Sequence, residues 1–399
     1  MASVFAWVDF AEGDRRRMAE VIDLFREEDT RDELGIGAIR DSLADLMFPG
    51  TSTIQTRARY FLFVPWIYYR HEERRTSGAE VGRKVRADED KLIEALVQGG
   101  ERPIGVDKRA ALQRPPSSIY WAGLAAWRIR RFVGSQDQYR RSWDRLLRSR
   151  REALLDDDRE TVDARGIVTW DPALPKAPGE LLKVASFALS RPEAEYLQQR
   201  ILGLGSTLLG HLVSNARSPE DAEFAWTHPE ADAFPLQCRG QLHHARLFSE
   251  AIHGAALLYN LMLAEARASA EWTETYRAQF GSWAEMLRRR DEIFRAWSRE
   301  DFWSLVDSTR APATFRTRRF VNRWLDLAGM ASKPQVLADG VDARALIRER
   351  EHELKRGRAR LGNPRALERW SGAAGAQPLN YRWHRIRVIV SDILKGLEA

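Results

Sequence analysis

Nine arginines and two acids fall between Trp127 and Arg151, a local charge of +7 in a chain whose whole formal charge is +6. Everything outside that segment nets about −1 (6 − 7), so the basic character sits in one place. Concentrated positive charge is what an anionic partner needs. From Gln138 onward, Tyr139, Trp143, Leu146 and Leu147 share one face of a helix, and Arg141, Arg145 and Arg148 share another at four- and three-residue spacing. Such a helix packs on its own domain and offers planar guanidinium forks to a phosphate backbone. Arg128, Arg130, Arg131 and Arg140 join the same set, with Ser117 and Ser118 just upstream of it. The chemistry this suggests is contact with nucleic acid, duplex DNA foremost. Asp137 and Asp144 are spaced to pair with Arg141 and Arg148, which leaves a solvated, self-paired face as the alternative.

A second candidate is the run Pro49-Gly50-Thr51-Ser52-Thr53, followed by Arg57 and Arg59. A helix starting there would expose unpaired N–H groups and a positive dipole end, and Ser52, Thr53 and Arg57 would add donors for an anion. A phosphate-binding loop of the Gly-x-x-x-x-Gly-Lys type is absent, and Ser52 or Thr53 could serve only to cap the helix. A third group is Cys238 with His243, His244 and His253. Glu250-x-x-His253 has the carboxylate and imidazole spacing of diiron bundles, which need a second such pair on another helix. Taken as standing alone, it predicts a buried thiol and polar helix histidines, with no metal and no cofactor. The sequence has no Gly-x-Gly-x-x-Gly, His-Glu-x-x-His or Gly-x-Ser-x-Gly motif, and no reaction is evident.

The elements that position these residues read mainly as helices. At 399 residues, with 44% apolar and 30% charged, the chain can bury the cores of two or three domains. Of its 63 basic residues 55 are arginine, a bias that base composition alone can produce. One cysteine excludes an internal disulfide and a zinc site of two or more thiolates, which fits a reducing cytoplasm. No secretion signal is visible at the start, and apolar runs such as Ala255-Ala256-Leu257-Leu258 are too short to span a bilayer, so no membrane partner is expected.

Helices are predicted over Asp14–Glu27, Ile36–Phe48, and from Thr51 through to Trp66, where Pro65 should kink or end the run. A short strand is predicted at Val4–Val8. Glu72–Asp90 reads as an exposed polar loop. Short helices then follow at Lys91–Val97, Val106–Gln113 and Ser118–Trp127. Three short helices before a basic segment are compatible with a winged helix, and equally with three members of a larger bundle. Asp156–Pro178 reads as a linker with a possible strand at Ile167–Trp170. Ser190-Arg191-Pro192-Glu193 has the form of a capping box. Gln241–Arg267 is the strongest helix, and Trp272, Tyr276, Phe280, Trp283 and Leu287 form the next apolar stripe. The resulting division is an N-terminal helical region (1–75), a winged-helix-like basic module (76–150), a linker (151–178) and a C-terminal helical domain (179–399).

Several blocks resemble a bacterial family described as a domain of unknown function, number 6361. They are Asp32-Glu33-Leu34-Gly35-Ile36-Gly37, Phe48 through Arg57, Arg59 through Trp66, Pro116 through Trp121, Leu258 through Leu263, and Tyr381-Arg382-Trp383. The resemblance brings no catalytic residues. It implies a bacterial cytoplasmic protein belonging to multigene cassettes, anti-phage ones among them. The expectation is a non-enzymatic nucleic-acid-binding or targeting subunit working with other protein subunits. The alternative is a protein–protein adaptor holding partner enzymes, with the basic segment a solvated face.

Overall fold

Ser190 and Glu193 open a helix as their spacing predicts. In the computed structural model both halves of the capping box form, with the Ser190 N–H donating to Glu193 Oε2 at 2.9 Å and Pro192 in the first turn. The structure describes residues 32–106, 113–155, 168–215, 222–309, 312–330 and 334–399. Among these are 15 α-helices and no strand. They are α1 (Gly37–Met47), α2 (Tyr60–Glu73), α3 (Gly78–Gln98), α4 (Pro116–Ala126), α5 (Gln136–Leu155), α6 (Arg191–Leu202), α7 (Leu208–Asn215) and α8 (Leu236–Ala266). The series continues with α9 (Ala270–Arg289), α10 (Asp291–Ala296), α11 (Arg299–Asp307), α12 (Phe315–Met330), α13 (Val341–Lys355), α14 (Pro364–Leu367) and α15 (Trp383–Glu398). The mainly helical fold class is as expected.

Two compact units result, each assembled from separate stretches of chain. One comprises the described residues up to Leu43 with His243–Leu379, the other Ala44–Leu242 with Asn380–Ala399. Neither division falls at the expected boundaries near residues 76 and 179. In the second unit α15 packs on α6 and α7, α4 packs on α2, and α3 packs on both α2 and α5. The region expected to be a separate winged-helix module therefore shares its core with α2. Among the described residues, the segment after α4 makes one antiparallel bridge, Arg130 to Trp170. Aromatic rings fill this core: Tyr68, Trp121, Tyr139 and Trp170 lie within 6.0 Å of one another, centroid to centroid.

Three expectations are corrected here. Glu72–Asp90 is not an exposed loop, because α3 starts at Gly78 and buries Val81, Val85, Asp88, Glu89, Leu92 and Leu96. Two acids sit on its inner face, Asp88 against His71 (3.3 Å) and Glu89 against the Ser117 N–H (2.7 Å), and they hide the apolar period. No helix starts at Thr51. Residues 51–59 form turns, held by Gln55 and by the Tyr120 hydroxyl, and α2 begins at Tyr60. Pro65 does not end α2, which continues to Glu73, because every residue from Tyr60 to Tyr68 is buried and tertiary packing outweighs one missing backbone bond.

In the other unit, Tyr276, Phe280, Trp283 and Leu287 of α9 are buried as predicted, whereas Trp272, the first member of the stripe, is exposed. Gly254 of α8 lies flat against the Trp283 ring, whose Nε1 donates to the Glu250 carbonyl at 2.7 Å. Helix α8 is long and apolar enough to cross a membrane, contrary to the expectation from short runs, but 83% of its most apolar window is buried in the protein. The expected elements at Val4–Val8, Asp14–Glu27, most of Val106–Gln113 and the first half of the linker lie outside the described residues. In its second half Thr169, Trp170 and Asp171 are buried, while residues 172–178 are exposed or half-exposed.

Candidate nucleic-acid interface

Helix α5 is anchored along one face by hydrogen bonds as well as packing. Tyr139, Trp143 and Leu146 are buried. The Tyr139 hydroxyl donates to Glu72 Oε1 at 2.6 Å, and Trp143 Nε1 donates to the Thr76 carbonyl at 2.7 Å. Thr169 Oγ1 and Trp170 Nε1 donate to the same Glu72 oxygen at 2.9 and 3.1 Å, while Arg150 Nη1 meets Oε2 at 2.7 Å. A buried carboxylate is tolerated where donors and a cation surround it in this way. Burial, and then the Glu72 charge, hold the Tyr139 hydroxyl well above its ordinary pKa, so it stays a donor. Glu72 thereby fixes the rotation of α5 about its axis.

With that rotation fixed, Arg141, Arg145 and Arg148 are exposed. No ion pair to any of the three, and none between Asp137 and Arg141 or Asp144 and Arg148, forms among the described residues. Asp144 instead accepts the Gly78 N–H at 2.7 Å, at the start of α3. The acid expected to neutralise the row is thus committed to a helix N-terminus, where a carboxylate is favoured. Ser118 is exposed too. Ser117 is buried, with its N–H given to Glu89. Arg140 is partly buried beside Tyr68 and Gly82.

The arginines before α5 sit in a tight turn. The Arg128 N–H donates to the Ala125 carbonyl and the Ile129 N–H to the Leu124 carbonyl, at 3.0 and 2.9 Å. This is a Schellman closure of α4, and Arg128, at φ 57°, takes the left-handed position that glycine usually fills. Trp127 is stacked on Phe61 at 3.7 Å and donates to the Pro49 carbonyl at 2.9 Å, which pins the turn. Arg128 is exposed, with no ion pair among the described residues. Arg130 is buried: its Nε donates to the Trp121 carbonyl at 3.3 Å and Nη1 to the Gly134 carbonyl at 3.0 Å, with Cζ 4.5 Å from the Trp121 ring centre. Burial pulls its pKa below the ordinary arginine value. Arg131 pairs with Asp171 at 3.0 Å.

The second candidate has a structural partner. Arg57 grips Asp392 of α15 through Nε (2.9 Å) and Nη2 (2.8 Å), and lies 3.5 Å from Glu101 and 4.5 Å from the centre of the Phe187 ring. Burial pushes the Asp392 carboxyl up and Arg57 draws it back. Ser52 and Thr53 precede a turn and not a helix, so the dipole expected to favour an anion there is absent.

The third group divides into ordinary contacts. Cys238 is buried, which raises its thiol pKa. His253 is held to the Ala376 carbonyl at 2.9 Å and His244 accepts from Trp297 Nε1 at 2.9 Å. Burial lowers the pKa of His243, His244 and His253. Glu250 pairs with Arg246 and Arg290. Glu250-x-x-His253 does not stand alone in the sequence, since Glu349-x-x-His352 repeats its spacing. There Glu349 pairs with Arg323 at 3.3 Å and His352 is exposed. No cluster of three or more potential metal ligands occurs among the described residues.

Residues not singled out in the sequence also matter, namely Glu72, Asp171 and Arg200. Asp171 accepts from Arg200 at 2.6 Å and from the Tyr196 hydroxyl at 3.2 Å. Glu72 carried a signal, an acid three residues after the last aromatic of α2, whereas the Asp171 pairs join distant stretches with no local mark. No curated protein and no solved structure matches the chain. A family model does match residues 2–395, nearly the whole length, and the chain belongs to that family of unknown function, DUF6361.

Proposed function

We propose that this protein is a non-enzymatic subunit that binds the backbone of nucleic acid, duplex DNA foremost, with little regard to sequence. The observation that carries the proposal is the row of Arg141, Arg145 and Arg148, exposed on a firmly anchored helix and without an acid partner among the described residues. Seven residues of helix rise about 10 Å, and each DNA strand presents a phosphate about every 3.4 Å of axis, so about three phosphates lie within the row's reach. Arginine contacts to phosphate fix orientation and carry no sequence information. In this reading α5 takes the place of the recognition helix in a winged-helix variant, with α3 and α4 behind it. The setting, a bacterial cytoplasmic multi-protein system such as an anti-phage one, rests on the family resemblance.

Fluorescence anisotropy of labelled short duplexes of unrelated sequence, titrated at low salt, tests the proposal. Comparable affinity for all of them, lost when the three arginines become glutamine, is the expected result. Absence of binding at low salt refutes it and favours the adaptor alternative, in which the same face is merely solvated.

A further inference from the structure

A cavity of about 530 Å³, lined by none of the three arginines of the row, opens where the turn after α4 meets α6. Four arginines line it, Arg128, Arg130, Arg131 and Arg200, together with Phe132 and Val133. Asp171 is the carboxylate paired there: its Oδ1 takes Arg131 at 3.0 Å and its Oδ2 takes Arg200 at 2.6 Å. Four guanidinium groups against one carboxylate leave a formal charge of +3. The helix end of α4 contributes only about −0.5 in opposition.

Three features set this cavity apart from a chance gathering of surface arginines. Arg130 is 8% exposed and is held by carbonyls and the Trp121 ring, with no carboxylate in an ion pair among the described residues. A buried cation without a counter-charge is costly, and an anion in the cavity relieves it. The Nε of Arg200 is buried without a hydrogen-bond partner among the described residues. Arg128 holds a left-handed backbone position where glycine costs nothing and arginine is strained. Asp171 uses both oxygens to fix Arg131 and Arg200, a positioning role that leaves further N–H donors on each.

We propose that this cavity binds the terminal phosphate of a phosphomonoester, presented by a free nucleotide or by the phosphorylated end of a nucleic-acid strand. A dianion answers the +3 charge better than a singly charged diester. A terminal group enters a concave site, whereas an internal diester is flanked on both sides by chain. Phe132 and Val133, the latter 93% exposed, supply an apolar wall for the sugar or base. The site rests on its own residues and not on the α5 row.

Isothermal titration of the full chain with inorganic phosphate and a nucleoside monophosphate, and anisotropy with short single strands bearing either a 5′-phosphate or a 5′-hydroxyl, test the proposal. Arg128→Gly is the key variant, because glycine suits that backbone and the fold is kept. It should weaken phosphate-dependent binding about tenfold, the worth of one charge-assisted hydrogen bond, without lowering the melting temperature. Arg200→Lys provides a second variant with the Asp171 charge still answered, and it should also weaken binding. Changing Arg141, Arg145 and Arg148 should leave it intact. Tighter binding of the phosphorylated strand supports the strand end as source, and binding of the monophosphate alone supports a free nucleotide. The proposal is overturned if neither probe binds, if strands bind equally with and without the phosphate while the monophosphate does not bind, or if Arg128→Gly changes nothing.

Discussion

Replacing Arg141, Arg145 and Arg148 together with glutamine should change how salt weakens DNA binding, by an amount the structure sets. The formal charge of the basic segment, +7, predicts a log–log salt slope of about −6 if every excess charge meets a phosphate. The structure reduces that number. Arg150 is taken by Glu72, Arg131 by Asp171 and Arg130 by backbone carbonyls, and Arg140 is turned inward beside Tyr68. Among the described side chains four exposed arginines then remain, Arg128 and the row of three, and these give an expected slope of about −3.6. The triple variant should retain about −0.9 of it. Between 50 and 200 mM salt the native protein then loses about 150-fold in affinity and the variant about 4-fold. Dissociation constants from anisotropy across that salt range give both slopes. Glutamine matches arginine in helix propensity and the sites are exposed, so stability should change by no more than about 0.5 kcal/mol. A slope that the triple substitution leaves unchanged refutes the assignment of the row. If the partner is single-stranded, the slope should change by about 2.1 instead of about 2.7.

Arg57→Ala should cost about 2–3 kcal/mol, less than a fully buried pair because Arg57 is 29% exposed, and urea denaturation reads it directly. That deficit should shrink as the pH falls, since protonated Asp392 needs no cation. Glu89 is buried against the Ser117 N–H, and burial pushes its pKa up to about 7 from 4.5. Its contribution to stability is therefore complete below about pH 4.5 and lost as the pH rises through about 7, and Glu89→Gln should gain on the native protein by up to about 3 kcal/mol across that window. Unfolding curves of the two proteins at several pH values that run parallel would refute this. Gly254→Ala places a Cβ 2.2 Å from the Trp283 ring and should lower stability by about 3 kcal/mol or more, whereas Gly281→Ala, with nothing near its Cβ, should raise it by about 0.5–1 kcal/mol. A thermal melt in which the two variants behave alike would contradict the packing.

What was legible in the sequence was what is decided locally. The Ser190–Glu193 box, the helix predicted over Ile36–Phe48 and the two faces of α5 each depend on residues within one or two turns. Helix α3 was missed because its inner face carries Asp88 and Glu89, and burial of a paired acid looks, in sequence, like exposure. The start assigned to Thr51 failed for a related reason. Threonine and serine there are good caps, but Gln55 takes the Ser52 N–H and the Tyr120 hydroxyl takes those of Thr56 and Arg57. Arg57 looked like an anion ligand because its real partner, Asp392, is 335 residues away. The cavity was half visible: Arg128, Arg130 and Arg131 were in the basic set, but only folding brings Arg200 and Asp171 to them.

The arrangement divides one arginine-rich segment into two kinds of charge. Arg130, Arg131 and Arg150 are bound to carbonyls or acids and hold the scaffold, and the first two also face the cavity. Arg141, Arg145 and Arg148 answer to nothing within the described residues. Like charges three and four residues apart on a helix repel by a few tenths of a kcal/mol per pair, so the row is a small standing cost. Asp144 lies between two of its members and could reduce that cost, yet it is committed to the Gly78 N–H instead. The tie between α3 and α5 is thereby strengthened while the row is left positive. A row of phosphates would remove the repulsion and leave the tie in place, which is the physical sense in which this face is suited to a polyanion.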